Sequence, residues 1–171
     1  TRAGRHRDKI NLIDDPEKRK LLDWAFDTWD QGAQRYFREL PSQFIHGDAN
    51  RANVLVQGDE VVGLVDFGDS CYNPTICELG VCLGYIMMDQ DDPIGAASTV
   101  AGGYHEVRPL SALERSVLLP LVLGRLAVTI SVAARRRTID PEHPNWFDSE
   151  KQAWKLLPLL RELKSEAFSI S

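Results

Sequence analysis

Every stretch of this 171-residue chain that reads as β-strand lies between residues 43 and 66, and that confinement limits what it can fold into. Gln43-Phe44-Ile45-His46 is a short apolar run, followed by a polar loop over residues 47–52. Asn53-Val-Leu-Val-Gln57 then reads as a strand, Gly58-Asp59 as a turn and residues 60–65 as the returning strand. A hairpin of this size cannot bury a core alone. The apolar surface must come from helices, and 43% hydrophobic with 26% charged residues is enough to build a core and to exclude general disorder.

Helical spacing surrounds the hairpin. A helix is predicted from Asp15-Pro16, where Asp caps and Pro takes the first turn. Its apolar positions run Leu22, Ala25, Phe26, Trp29, Ala33, Tyr36, Phe37 and Leu40, and Pro41 ends it. Further helices are predicted over residues 74–88, 93–106, 111–136 and 149–165, the third opening on a capping box from Ser111 to Glu114. Residues 135–147, with Pro141 and Pro144, form a polar connector. The expectation is a single α+β unit, mainly helical, with loops 46–69 on the hairpin and a helical part over 74–171.

Charge and cysteine content remove several classes. Lys and Arg number 20 against 25 Asp and Glu, a net charge of −5, which argues against nucleic-acid binding. Three cysteines without a CxxC pair disfavour a disulfide scaffold or zinc site and suit the cytoplasm. Residues 117–134 are, at about 18 residues, long enough to span a membrane. Pro120, Gly124 and Arg125 interrupt that run, and a mid-membrane Arg costs about 3 kcal/mol. The expectation is a buried core helix, no membrane partner and no leader peptide.

Two loops carry the chemistry: His46-Gly-Asp48-Ala-Asn-Arg-Ala-Asn53 and Asp66-Phe-Gly-Asp69. A hairpin brings the residue entering one strand beside the residue leaving the other, so Asn53 and Asp66 should meet at one end with Asp48 close by. Two carboxylates and a carboxamide oxygen suit Mg²⁺, which takes few protein ligands and completes its shell with water and phosphates.

This ordered set resembles the catalytic and metal-binding loops of the aminoglycoside phosphotransferase/choline kinase-like family, small-molecule relatives of the protein kinases. Protein kinases carry His-Arg-Asp-x₄-Asn and Asp-Phe-Gly; Gly47 in place of Arg points to the small-molecule branch. The likeness extends to Asn73-Pro-x-x-Cys-Glu-Leu-Gly80 and is strongest toward the hydroxylysine kinase and type II homoserine kinase subgroup, whose domains are sometimes fused to a class-III aminotransferase-like domain. The resemblance implies the C-terminal lobe of a kinase-like fold. It implies Asp48 as catalytic base, Asn53 and Asp66 as Mg²⁺ ligands, and ATP or GTP as co-substrate. The acceptor is then a small hydroxylated amine or amino acid. Leu55 and Val65 read equally as the floor under the adenine and as ordinary strand core.

Other positions read as support. His46 suits backbone hydrogen bonding better than acid–base chemistry. Asn50 departs from the His or Lys found there in relatives, with Arg51 adjacent; Asp69 could reach the site or brace its turn. Glu78 is expected to cap or brace its own helix, and Asp89, Asp91 and Asp92 to form a solvated loop. Nothing before Asp48 resembles a Gly-rich phosphate-covering loop or a strand Lys, and the chain opens on Thr1 rather than Met. A C-lobe whose N-terminal lobe lies elsewhere in a longer polypeptide is therefore expected. A non-catalytic binding or oligomerisation module is the alternative, and a two-metal phosphohydrolase a weaker third.

Overall fold

A computed structural model of the chain describes residues 3–143, 146–163, 168 and 170. Helix α1 (Pro16–Gly32) begins as its sequence dictates: the Asp15 carboxylate accepts hydrogen bonds from the amides of Glu17 and Lys18. Leu22, Ala25, Phe26 and Trp29 form its buried face. The helix ends at Gly32 rather than running to Leu40, and a 3₁₀ turn, Gln34–Tyr36, follows. Glycine is a poor helix former. Ala33 and Leu40 remain buried, and Tyr36 and Phe37 pack on the core, so the apolar spacing outlasts the helix. Ahead of α1, a 3₁₀ segment, Ala3–Leu12, lies against α1 and the central helix described below.

Four strands make two separate ladders. Strands β2 (Val54–Gln57) and β3 (Glu60–Leu64) form the expected antiparallel hairpin, Val54 opposite Leu64 and Gln57 opposite Glu60. Strand β1 (Ser42–Ile45) pairs with β4 (Cys71–Pro74), Ser42 opposite Pro74 and Ile45 opposite Cys71. Strand structure is thus not confined to residues 43–66. Four residues ending in Pro are too few to show an alternation, and β4 is a strand only because the chain returns to β1, where Thr75 N donates to Pro41 O at 2.8 Å. The two ladders hold the loops between them: β1 feeds the first, and β4 leaves the second.

The helical part comprises α2 (Ile76–Ile86), α3 (Pro93–Val107), α4 (Ala112–Arg137) and α5 (Asp148–Arg161). Helix α2 starts after residue 74 because Pro74 belongs to β4. The α4 capping box is complete: Glu114 N donates to Ser111 Oγ (3.2 Å), and Ser111 N to the Glu114 carboxylate (3.0 Å). The last residues of the helix expected over 149–165, and Pro144 of the connector, lie outside the described residues.

Helix α4 is the centre of the fold, packed by α1, α2 and α5. Among the described residues it alone is long and apolar enough to cross a membrane, and 78% of its apolar window is buried against the rest of the protein. One interruption has a packing reason. A Cβ at Gly124 would stand 2.4 Å from Trp29 Cδ1, so α1 and α4 approach to a distance that only glycine permits. Arg125 has a different reason.

Candidate active site

The two loops meet where the hairpin ends. Val65 N donates to Asn53 O at 3.0 Å, extending the ladder one step beyond β2 and β3 and setting Asp66 beside Asn53. Asp66 adopts a left-handed backbone, φ 63°, a conformation costly for most L-residues but tolerated by Asp. Its carboxylate accepts from Gly68 N (3.4 Å) and is otherwise open to solvent. Local strain of this kind persists only where the surroundings enforce it.

Asp48 is the most engaged side chain of the site. Its Oδ2 accepts from Asn50 Nδ2 (3.0 Å) and Asn53 Nδ2 (3.2 Å), and its carbonyl accepts from Asn53 Nδ2 (3.0 Å). Its Oδ1 accepts from the Tyr85 hydroxyl (2.8 Å) and from Arg125 Nη2 (3.2 Å). Asn53 is buried, and with its nitrogen committed to Asp48 its carboxamide oxygen is the atom left to meet a cation.

His46 ties the loops together. Its Nδ1 accepts from Asp48 N (3.4 Å), so the protonated Nε2 donates to Val65 O (2.9 Å) while Phe67 packs edge-on against the ring. Gly47 has φ 81°, and a Cβ there would stand 2.7 Å from the Asp69 carbonyl oxygen. Asp69 thus meets the first loop through its backbone. Glu78 does not cap its own helix: one carboxylate oxygen accepts from Gly47 N at 3.0 Å, bracing a loop 31 residues away. The helix-capping expectation fails because that loop presents an amide needing an acceptor where α2 begins. Asn50 folds back on Asp48 and accepts from Ala52 N, while Arg51 is exposed.

Leu55 and Val65 are not core: they remain 46% and 39% exposed. Phe44, Val61, Val62, Leu64, Phe67 and Tyr72, on or beside the strands, are exposed as well. Cys77 and Cys82 offer no nucleophile here; burial pushes the Cys77 thiol up to about 11 and that of Cys82 upward as well.

Tyr85 and Arg125 escape the sequence reading. Burial, reinforced by Asp48 and opposed by Arg125, raises the Tyr85 phenol above its ordinary pKa, so it stays a hydroxyl donor at neutral pH. Arg125 was visible as a charge inside an apolar helix. Such a charge requires a partner, but its partner is 77 residues earlier.

Among the described residues no three His, Cys, Asp or Glu side chains gather into a metal-binding group. The residues that would hold a metal offer instead one amide oxygen, from Asn53, and one carboxylate, from Asp66. That pair fits an ion such as Mg²⁺, which draws most of its shell from water and phosphate oxygens, and does not fit a dedicated all-protein cage.

A helical lobe carrying its polar loops on a short hairpin is the C-terminal lobe of a kinase-like fold. Residues 2–110 match the model of the phosphotransferase enzyme family (APH), and the chain belongs to that family. Hydroxylysine kinase of Mus musculus is 31% identical over 142 residues, 77% of this chain and 37% of that protein. Hydroxylysine kinase of Xenopus laevis is 30% identical over 133 residues, 71% of this chain and 36% of that protein. Homoserine kinase of Methylobacterium radiotolerans is 33% identical over 121 residues, 65% of this chain and 37% of that protein. The chain therefore spans little more than a third of the length of these curated relatives.

Proposed function

We propose that this chain is the catalytic lobe of a nucleotide-dependent kinase that phosphorylates a hydroxyl group of a small amino acid or amine. One observation carries the reading: Asp48, Asn53 and the Val65–Asp66 turn are joined by an unbroken set of hydrogen bonds at one end of the hairpin. A module without catalysis has no physical need for a carboxylate held this firmly beside two oxygen donors suited to a metal. The names of the relatives, hydroxylysine kinase and homoserine kinase, support a hydroxylated amino acid as the acceptor.

In this reading Asp48 accepts the proton of the acceptor hydroxyl as its oxygen attacks the γ-phosphorus, and the bond to the bridging β,γ-oxygen breaks. Asn53 and Asp66 hold Mg²⁺, which when bound neutralises phosphate charge. Asn50 and Asn53 keep the Asp48 carboxylate in one orientation, the preorganisation that supplies most of the rate in phosphoryl transfer. Leu55 and Val65 lie under the base of ATP or GTP.

The test uses the full-length protein with ATP or GTP, Mg²⁺ and a panel of hydroxy amino acids and amino alcohols, reading release of nucleoside diphosphate. Asp48→Asn should leave nucleotide binding intact while kcat falls on the order of 10²-fold or more. A variant turning over at the wild-type rate removes Asp48 from the mechanism. A wild type that consumes no nucleotide with any acceptor leaves the non-catalytic module in its place.

A further inference from the structure

The proposed chemistry leaves Arg125 without a task. Its guanidinium stands in the middle of the core helix α4, where charge is expensive unless it is met. Nη2 donates to Asp48 Oδ1 and to the Tyr85 hydroxyl, and Cζ lies 4.6 Å from the centre of the Tyr85 ring. The group is thus held by an ion pair and an aromatic face. Yet Nε is buried without an acceptor, and Nη1 donates to no described residue. The side chain keeps 21% of its surface exposed, so solvent still reaches part of it.

A counter-ion for Asp48 alone needs only a point charge. Nη1 still carries hydrogens that no described residue takes, and a cationic N–H donor of this kind is suited to a carboxylate, with which it makes a charge-assisted hydrogen bond. We propose that Arg125, oriented by Tyr85, binds the α-carboxylate of the acceptor and so selects hydroxy amino acids over amino alcohols. The proposal rests on the kinase reading. One residue bridges Asp48 and Arg125: the acceptor presents its hydroxyl to the base and its carboxylate to the neighbouring guanidinium. As Asp48 takes up the hydroxyl proton it loses its charge, and Arg125 then faces the acceptor carboxylate alone. Arg125 acts on specificity rather than on the reacting atoms.

The test compares homoserine and hydroxylysine, each with its decarboxylated amino alcohol, on the full-length protein. Binding is read by calorimetry, and KM and kcat by nucleotide turnover. The wild type should bind the amino acids more tightly than the matched alcohols. Arg125→Gln should collapse that preference by about tenfold or more, through KM rather than kcat. Arg125→Lys, which keeps the charge but has one nitrogen where the guanidinium divides two between Asp48 and a ligand, should fall between. An equal loss for both members of each pair, or a change in kcat alone, overturns the proposal and makes Arg125 a support for Asp48 only. Equal wild-type binding of acid and alcohol overturns it too. Because binding is measured without turnover, the two readings separate: Arg125-dependent binding without phosphate transfer would sink the kinase reading and keep the carboxylate site. If Arg125→Gln does not fold, Tyr85→Phe carries the test. Loss of the orienting hydroxyl should weaken amino-acid binding more than alcohol binding, and equal weakening overturns the proposal.

Discussion

The carboxamide nitrogen of Asn53 lies 3.0 Å from the carbonyl oxygen of Asp48 and 3.2 Å from its Oδ2, so one side chain fixes the proposed base and keeps its own oxygen for the proposed metal. Asn53 and Asp66 therefore should not respond alike to mutation. Asn53 is 7% exposed, and Asn53→Ala leaves Asp48 short of two bonds. It should cost about 1–3 kcal/mol of stability and lower kcat together with Mg²⁺ affinity. Asp66 is exposed, and Asp66→Asn should raise the Mg²⁺ concentration for half-maximal rate while stability stays within about 0.5 kcal/mol. Denaturant titrations beside Mg²⁺ titrations of the full-length protein measure both. Equal stability losses would mean that the two ligands are not divided in this way.

Gly47 makes a second claim on the same loop. At φ 81° with the Asp69 carbonyl 2.7 Å from any Cβ, an added methyl group must move one loop or the other. Gly47→Ala should destabilise by about 2 kcal/mol, combining left-handed strain with displaced backbone. It should also reduce turnover, because Gly47 N is the group that Glu78 holds. A thermal midpoint unchanged from wild type would show that the loops shift apart without cost.

The hairpin and its loops were legible because their signals are local: short apolar runs, a Gly-Asp turn, and chemistry-bearing side chains at fixed offsets. The capping box of α4 was legible for the same reason. What escaped depends on distant partners. Strand β4 exists through its pairing with β1, Glu78 serves Gly47, and Arg125 serves Asp48. The periodicity of α1 overran because burial of Ala33 and Leu40 needs no helix once the chain has turned at Gly32. Sequence spacing reports which side chains are buried, and only the fold reports what they are buried against.

Glu114 gives the acid side of the stability profile a handle. Burial alone would raise its carboxyl pKa, but hydrogen bonds from the Ser111 backbone and from Arg108, at 2.6 Å, outweigh it and hold the group below its ordinary value. A native pKa depressed below the unfolded one contributes stability that is complete above the ordinary carboxylate range. That stability is lost as pH falls through the native value. Glu114→Gln should therefore cost about 1–2 kcal/mol at pH 7, and the gap from wild type should close progressively as pH drops below the ordinary value of 4.5. Chemical denaturation across that range measures the difference. A gap that widens on acidification would mean that the native carboxyl titrates above, not below, its unfolded counterpart.

Nucleotide binding by the 171-residue chain on its own follows from the exposed strand face. Leu55 and Val65 are 46% and 39% exposed, so a base lying on them is covered from one side only. In the proposed reading the phosphates would meet Asn53 and Asp66 through a metal, and Arg125 on α4 already faces Asp48. Phosphoryl groups also need cationic and amide donors from the opposite side. A nucleotide held by one wall buries too little area to offset its loss of translational and rotational freedom. The chain alone should bind ATP·Mg²⁺ at millimolar affinity or weaker, roughly −4 kcal/mol, and show no measurable transfer. The full-length protein should bind far more tightly. Calorimetry on both, with circular dichroism to show that the shorter one is folded, makes the comparison. A micromolar dissociation constant for the 171-residue chain would mean that its loops and hairpin build a nucleotide site without a second wall.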